Sequence, residues 1–166
     1  IIMNSLYAKN KREMEHSKRV SDLCEKMAIR LRLDSTLIQK LKVAGLMHDI
    51  GKIGIPDAIL DKPGKLDDNE FILIQKHAES GYKILSAANE FSEIANYILA
   101  HHERWDGKGY PKGLKETEIP IYARIISIAD AYDAMTSDRA YRKGLSVDAA
   151  MSELQKHSGR QFDPYL

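Results

Sequence analysis

Apolar residues recur along this chain at three- and four-residue intervals, the pattern of helices that each bury one face. Between Met14 and Leu31 they fall at Val20, Leu23, Cys24, Met27, Ala28 and Leu31. His16, four residues before Val20, belongs to that inward face. Asp34 and Ser35 are N-cap residues for a second helix, in which Leu37, Leu41, Ala44, Gly45 and His48 form one stripe. From Gly51 to Leu66 three glycines, two prolines and a Pro63-Gly64 turn predict a loop, with at most one helical turn around Ile59.

Asp67 with Glu70 has the form of a capping box and opens a third helix, with Phe71, Ile74, His77, Ala78 and Gly81 along one side. Ser92 is placed to cap a fourth, carrying Ile94 and Ile98 and ending near His101 and His102 before the glycine-rich stretch from Trp105 to Gly113. Pro120 suits the first turn of a fifth helix, whose stripe of Ala123, Ser127, Asp130 and Ala134 sets a carboxylate in a helix interior. Ser146 caps a sixth, ending around His157 to Gly159, and Asp163-Pro164 predicts the start of another. Strand signals are weak throughout. The expected fold is all-α, a compact multi-helix bundle.

Composition narrows the function. With 166 residues, 43% hydrophobic and 30% charged, the chain reads as one globular domain with a sizeable core. A net charge of +1 supplies no general basic field, so duplex nucleic acid is not an expected partner. A single cysteine, Cys24, excludes an internal disulfide framework and reads as a packed small hydrophobe. No apolar run reaches the ~20 residues that span a bilayer, so no membrane contact is expected and the expected compartment is the cytoplasm. The first residue is Ile1, not methionine, and residues 1–166 are therefore expected to be one domain of a longer protein.

Five of the six histidines fall on predicted buried faces or helix ends: His16, His48, His77, His101 and His102. Each is about one helix and its return from the next, so successive helices deliver one ligand apiece. Adding Asp49 and Asp130 gives five imidazoles and two carboxylates, too many for one ion and enough for two. Asp49, beside His48, has two oxygens and is suited to bridge ions roughly 3.5–4 Å apart. Lys52, at i+4 from His48, adds a fixed cation, as a phosphate ester would need.

Longer runs are more specific: His48-Asp49-Ile50-Gly51-Lys52, His77 followed by Gly81, His101-His102-Glu103-Arg104-Trp105-Asp106-Gly107-Lys108-Gly109-Tyr110-Pro111, and Ala129-Asp130-Ala131-Tyr132-Asp133 through Arg139. From about His16 onward the chain resembles the HD-GYP family, helical cyclic di-GMP phosphodiesterases of the HD phosphohydrolase superfamily. The resemblance implies an HD-domain bundle with a binuclear metal centre in its core. One ion would be held by His16, His48, Asp49 and Asp130, and the other by Asp49, His77, His101 and His102. Iron or manganese is the implied metal, with zinc or magnesium as alternatives. Lys52 matches a lysine near the scissile phosphate, making Asp49 and Lys52 the catalytic candidates. Arg139 and Arg142 match positions that grip substrate phosphates, and Tyr110 shapes the substrate pocket. Glu103 and Asp106 are expected either to brace the metal ligands from behind or to order the loop.

The implied reaction is hydrolysis of cyclic di-GMP to pGpG, and to GMP if a second cleavage follows. A sensor, receiver or cyclase domain elsewhere in the polypeptide would regulate it. One departure bears on the second step. Some relatives place a glutamate four residues before the first ligand histidine, where it helps bind a third ion; here that position is Arg12. Glu13 and Glu15 flank it, but a one-residue shift turns a helical side chain by about 100° and aims it elsewhere. Two metals are therefore expected. The rival readings are an HD-superfamily phosphohydrolase acting on another nucleotide, a non-catalytic cyclic di-GMP receptor, and a structural domain stabilised by metal.

Overall fold

The computed structural model describes residues 11–138 and 143–166. They form seven α-helices: α1 (Lys11–Arg30), α2 (Ser35–Met47), α3 (Asp57–Leu60), α4 (Asp68–Ser86), α5 (Ser92–Leu99), α6 (Ile121–Thr136) and α7 (Val147–Lys156). Short 3-10 turns occupy Ile50–Gly54, Asn89–Phe91 and Glu116–Glu118. Among the described residues there is no strand, only an isolated bridge between Ser158 and Phe162. None of these helices is long and apolar enough to cross a membrane.

The helix starts follow their capping residues. Asp34 accepts from the amides of Thr36 and Leu37 at 2.9 and 3.1 Å. Asp67 and Glu70 complete the reciprocal box, each carboxylate taking the other's amide, and Ser146 Oγ accepts from Ala149 N. Each such cap contributes about 1 kcal/mol. Ser92 does not act as expected. Phe91 holds the cap position of α5, because the 3-10 turn Asn89–Phe91 leads straight into the helix and Ser92 Oγ donates back to Asn89 O. Pro120 likewise precedes α6 instead of lying in its first turn.

Two further expectations fail for identifiable reasons. Asp163-Pro164 opens no helix: the Asp163 carboxylate is taken by the Arg124 guanidinium and by the amide of Tyr165, which holds a turn. Phe71 is 47% exposed, since the buried face of α4 runs through His77, Ala78, Gly81 and Leu85 in its later turns, against α5 and the Ile50–Gly54 turn. On α6 the buried positions are Ala123, Ile125, Ile126, Ala129 and Asp133, so of the predicted stripe only Ala123 is fully buried, and Ser127, Asp130 and Ala134 are half-buried.

In the core, α1 packs on α2 and α6, α2 on α5, and α4 on α5. Val20, Leu41, Ile50, Ile98, Ile125 and Ile126 are fully buried there. Each such aliphatic side chain contributes about 1.5–3 kcal/mol by leaving water. Cys24 sits in the same cluster, and burial pushes its thiol up to about 12. The backbone of Gly51 lies directly on α4: a Cβ there would stand 1.9 Å from His77 O. That contact sets the depth at which the residues after α2 meet α4.

Two outcomes follow from this packing. Gly51→Ala should lower the unfolding free energy by about 3 kcal/mol in urea titration, because backbone meets the new methyl; wild-type stability would show that α4 yields. Cys24 should react with a thiol-specific chromogenic reagent only upon denaturation, since neither access nor thiolate is available in the folded state. Rapid labelling of the native protein would contradict its place in the core.

Candidate metal centre

Three helices and the ends of two others converge on one point. His16 comes from the second turn of α1 and Asp130 from the middle of α6. His48 is the C-cap of α2, and Asp49 follows where the chain leaves helical geometry for the 3-10 turn that carries Lys52. His77 stands in mid-α4, while His101 and His102 lie just beyond the last helical residue of α5. All seven predicted metal-ligand candidates are thus brought together. His48, His77 and His101 are essentially without solvent exposure.

They divide into two groups. Ligand atoms of His16, His48 and Asp130 all lie within 4.8 Å of one another, as do those of His77, His101 and His102. Asp49 stands between them. Its Oδ2 is 3.2 Å from His48 Nε2 and 3.8 Å from His16 Nε2, while its Oδ1 is 3.5 Å from His77 Nε2. One oxygen addresses each group, the disposition a bridging carboxylate needs.

The far side of each ring explains why the near sides converge. His48, His77 and His101 donate from Nδ1 to the carbonyls of Gly45, Ile74 and Ile98, each three residues back along the chain. A carbonyl only accepts, so Nδ1 carries the proton and Nε2 faces the centre. His16 is held differently, by Asp133 Oδ2 at 2.7 Å from its Nδ1. Asp133 is itself buried and receives Arg19 through Nε at 2.6 Å and a terminal nitrogen at 3.0 Å.

These converging nitrogens fit a cation. His77 Nε2 stands 3.4 Å from His101 Nε2 and 3.1 Å from His102 Nε2. With Nδ1 of His77 and His101 both protonated, the first of these contacts sets acceptor against acceptor. Burial, reinforced by neighbouring imidazoles, holds His101 well below its usual range and His102 down to about 4, so this group stays neutral. Neutral imidazole is the form that binds a metal. His48 Nε2 is buried without a hydrogen-bond partner, although Asp49 Oδ2 is 3.2 Å away. On the other side, burial acts against charge but is outweighed: Asp130 and Asp133 raise His16 to about 9. Asp49 stays ionised, held well below the usual carboxylate range by His48 and Lys52 despite its burial. Ionised carboxylates and converging imidazole nitrogens make a donor set suited to divalent first-row metals.

The Lys52 ammonium lies 2.7 Å from Asp49 Oδ2 and 2.9 Å from Glu13 Oε2. Glu13 therefore does not turn away as expected. Its half-buried side chain is long enough to reach from α1 to Lys52, on the wall of the same cavity. This cavity, of about 990 Å³, is also lined by Arg12, Arg19, His102, Tyr110, Asp130 and Asp133. Its size is at the upper end for small-molecule sites. Tyr110 stacks on His102 with ring centroids 4.8 Å apart. That stacking depends on Gly109, where a Cβ would stand 2.4–2.5 Å from the Glu103 and Arg104 backbone. Glu103, buried, gathers the loop by accepting from Lys112 N and Leu114 N, and Asp106 pairs with Arg104 and accepts from Lys108 N. Arg139 and Arg142 lie outside the described residues.

Asp133, Arg19 and Glu13 were not singled out from the sequence as site residues. Asp133 carries a faint signal, since it lies one helical turn from Asp130 on a face that also bears Ile126 and Ala129. Arg19 and Glu13 carry none, because both resemble ordinary solvated positions of α1.

Comparison with known proteins agrees with this picture. A family profile described as "HD domain" matches residues 1–166. A "Cyclic di-GMP phosphodiesterase" of Thermotoga maritima is 42% identical over 158 residues, covering 92% of this chain and 43% of that protein. A "3'3'-cGAMP-specific phosphodiesterase 2" of Vibrio cholerae is 40% identical over 167 residues, covering 99% of this chain and 32% of that protein. The chain thus spans less than half the length of these curated relatives. Among solved structures, Bd1817, an HDG"Y"P protein from Bdellovibrio bacteriovorus, superposes with a TM-score of 0.74 at 26% identity, over 92% of this chain and 49% of that one. With a family match over its whole length and a fold shared with this solved neighbour, the chain belongs to the HD domain family.

Proposed function

We propose that this chain is the hydrolytic part of a metal-dependent phosphodiesterase that cleaves a cyclic dinucleotide in the cytoplasm. The observation that carries this reading is Asp49, with one oxygen facing each of two imidazole-rich groups at the floor of a large cavity. Cyclic di-GMP is the first-choice substrate, given the relative from Thermotoga maritima. The Vibrio cholerae relative supports 3'3'-cGAMP as the second. A sensor, receiver or cyclase region in the same polypeptide is the regulatory partner this reading expects.

In this reading His16, His48, Asp49 and Asp130 hold one ion, and Asp49, His77, His101 and His102 the other. Iron or manganese suits imidazole-rich, carboxylate-bridged ligation, and zinc or magnesium follow. The chemistry that ions held by these residues would supply is a water of lowered pKa and a polarised phosphoryl oxygen, so no covalent enzyme intermediate would be needed. Lys52, fixed by Asp49 and Glu13, supplies positive charge where negative charge develops on the phosphate. Tyr110, held flat on His102, forms the adjoining wall for the substrate. Arg139 and Arg142 are assigned to the substrate phosphates. Water oxygen bonds to phosphorus, the bond to the 3′ oxygen breaks, and that oxygen leaves with a proton. With Arg12 in place of a third-ion glutamate, the product is mainly linear pGpG.

Anaerobically purified protein, supplied with manganese or ferrous iron, should convert cyclic di-GMP to pGpG with about two ions bound per chain. Full metal occupancy without turnover of either cyclic dinucleotide would contradict the enzyme and favour a receptor. Asp49→Ala should lose both ions and all turnover while its circular dichroism stays helical; unchanged turnover would refute the bridge. Lys52→Ala should keep its ions and lose about 100-fold or more in kcat, the scale of one charge-stabilising donor. A kcat within a few fold of wild type would remove Lys52 from the chemistry.

A further inference from the structure

We propose that Asp133, clamped by Arg19, is a positioning residue that holds His16 and makes the two ion sites unequal; the inference rests on the two-ion reading above. Of the four imidazoles whose Nδ1 partner is defined, three lean on backbone carbonyls, from Gly45, Ile74 and Ile98. Only His16 leans on a carboxylate. The difference is chemical. A carbonyl fixes a ring's tautomer, whereas a carboxylate also draws on the Nδ1 proton and makes Nε2 a stronger donor.

The clamp leaves Asp133 little choice of pose. Its Oδ1 accepts Arg19 Nε, while its Oδ2 accepts His16 Nδ1, an Arg19 terminal nitrogen and, at 3.2 Å, Ser137 Oγ. Three residues from Asp130 on α6, it reaches the back of His16 as Asp130 faces its front, with Asp130 Oδ1 3.2 Å from His16 Nε2. One turn of α6 thus supplies both an ion ligand and the brace for another ligand. Arg19 offsets the added negative charge, which otherwise would stand beside Asp130 and Asp49. The His77–His101–His102 group has no such brace among the described residues.

An amide in place of this carboxylate cannot reproduce the arrangement. Whichever way the new side chain of Asp133→Asn is turned, its NH2 meets a donor, either Arg19 or the His16 Nδ1 proton. Calorimetric titration of the metal-free protein with Mn²⁺ alone tests the idea without recourse to activity. Asp133→Asn should weaken one of two dissociation constants by about 10–100-fold and leave the other unchanged. In a His16→Ala background the same substitution should add no further loss, because Asp133 acts through that ring. Arg19→Gln, which keeps the carboxylate but frees it to turn, should weaken the same ion to a smaller extent and covers the case in which Asp133→Asn does not fold. Two unaltered constants in both folded variants, or equal weakening of both ions, would overturn the proposal. Wild-type protein binding fewer than two ions would instead sink the two-ion reading, and this inference with it.

Discussion

An ionised carboxylate buried among imidazoles is the constraint on which this structure turns. Asp49 is 5% exposed, and removing its charge from water is tolerated only where cations or donors meet it. Within the chain itself, the Lys52 ammonium at 2.7 Å plays that part, together with His16, which Asp130 and Asp133 raise to about 9 against its burial. The opposite group cannot, since His101 and His102 remain neutral and His77 is lowered as well, chiefly by burial. Half of the site is therefore compensated by protons and half is left as converging lone pairs. A divalent ion suits both halves at once, replacing protons on one side and repulsion on the other.

The bundle is arranged to hold that carboxylate still. Asp49 stands at a break between α2 and a 3-10 turn, and the turn is pinned by the contact of Gly51 with the backbone of α4 at His77. The position of one ligand therefore sets the position of another. Rings on three separate elements are turned inward by the same local device, an Nδ1 proton given to a carbonyl three residues back. Beyond them the loop gathered by Glu103 lays Tyr110 over His102, so the wall of the cavity is built from the same residues that close the centre.

Much of this was legible before the structure. Helical periodicity located the long helices, and the capping residues Asp34, Asp67 and Ser146 marked starts that the structure repeats. Five histidines on inward faces or helix ends, with Asp49 and Asp130, are the set that meets in space. What escaped were interactions made across the fold. Glu13 reaches Lys52 and Arg19 reaches Asp133 because the tertiary packing carries α1 over the 3-10 turn and against α6, and no spacing along α1 encodes those partners. Asp133 shares its residue type with solvated helix positions, and beyond its place one helical turn from Asp130 nothing in the sequence announces its burial or its hold on His16. Ser92 and the Asp163-Pro164 pair carried correct local signals that neighbouring structure overrode, a 3-10 turn in one case and the Arg124 ion pair in the other.

The central claim, that Asp49 bridges two ions, is tested most directly by anomalous X-ray diffraction from crystals loaded with manganese. The account predicts two peaks about 3.5–4 Å apart, one on the His16–His48–Asp130 side of the Asp49 carboxylate and one on the His77–His101–His102 side. A single peak, or two peaks of which one does not touch Asp49, would contradict it.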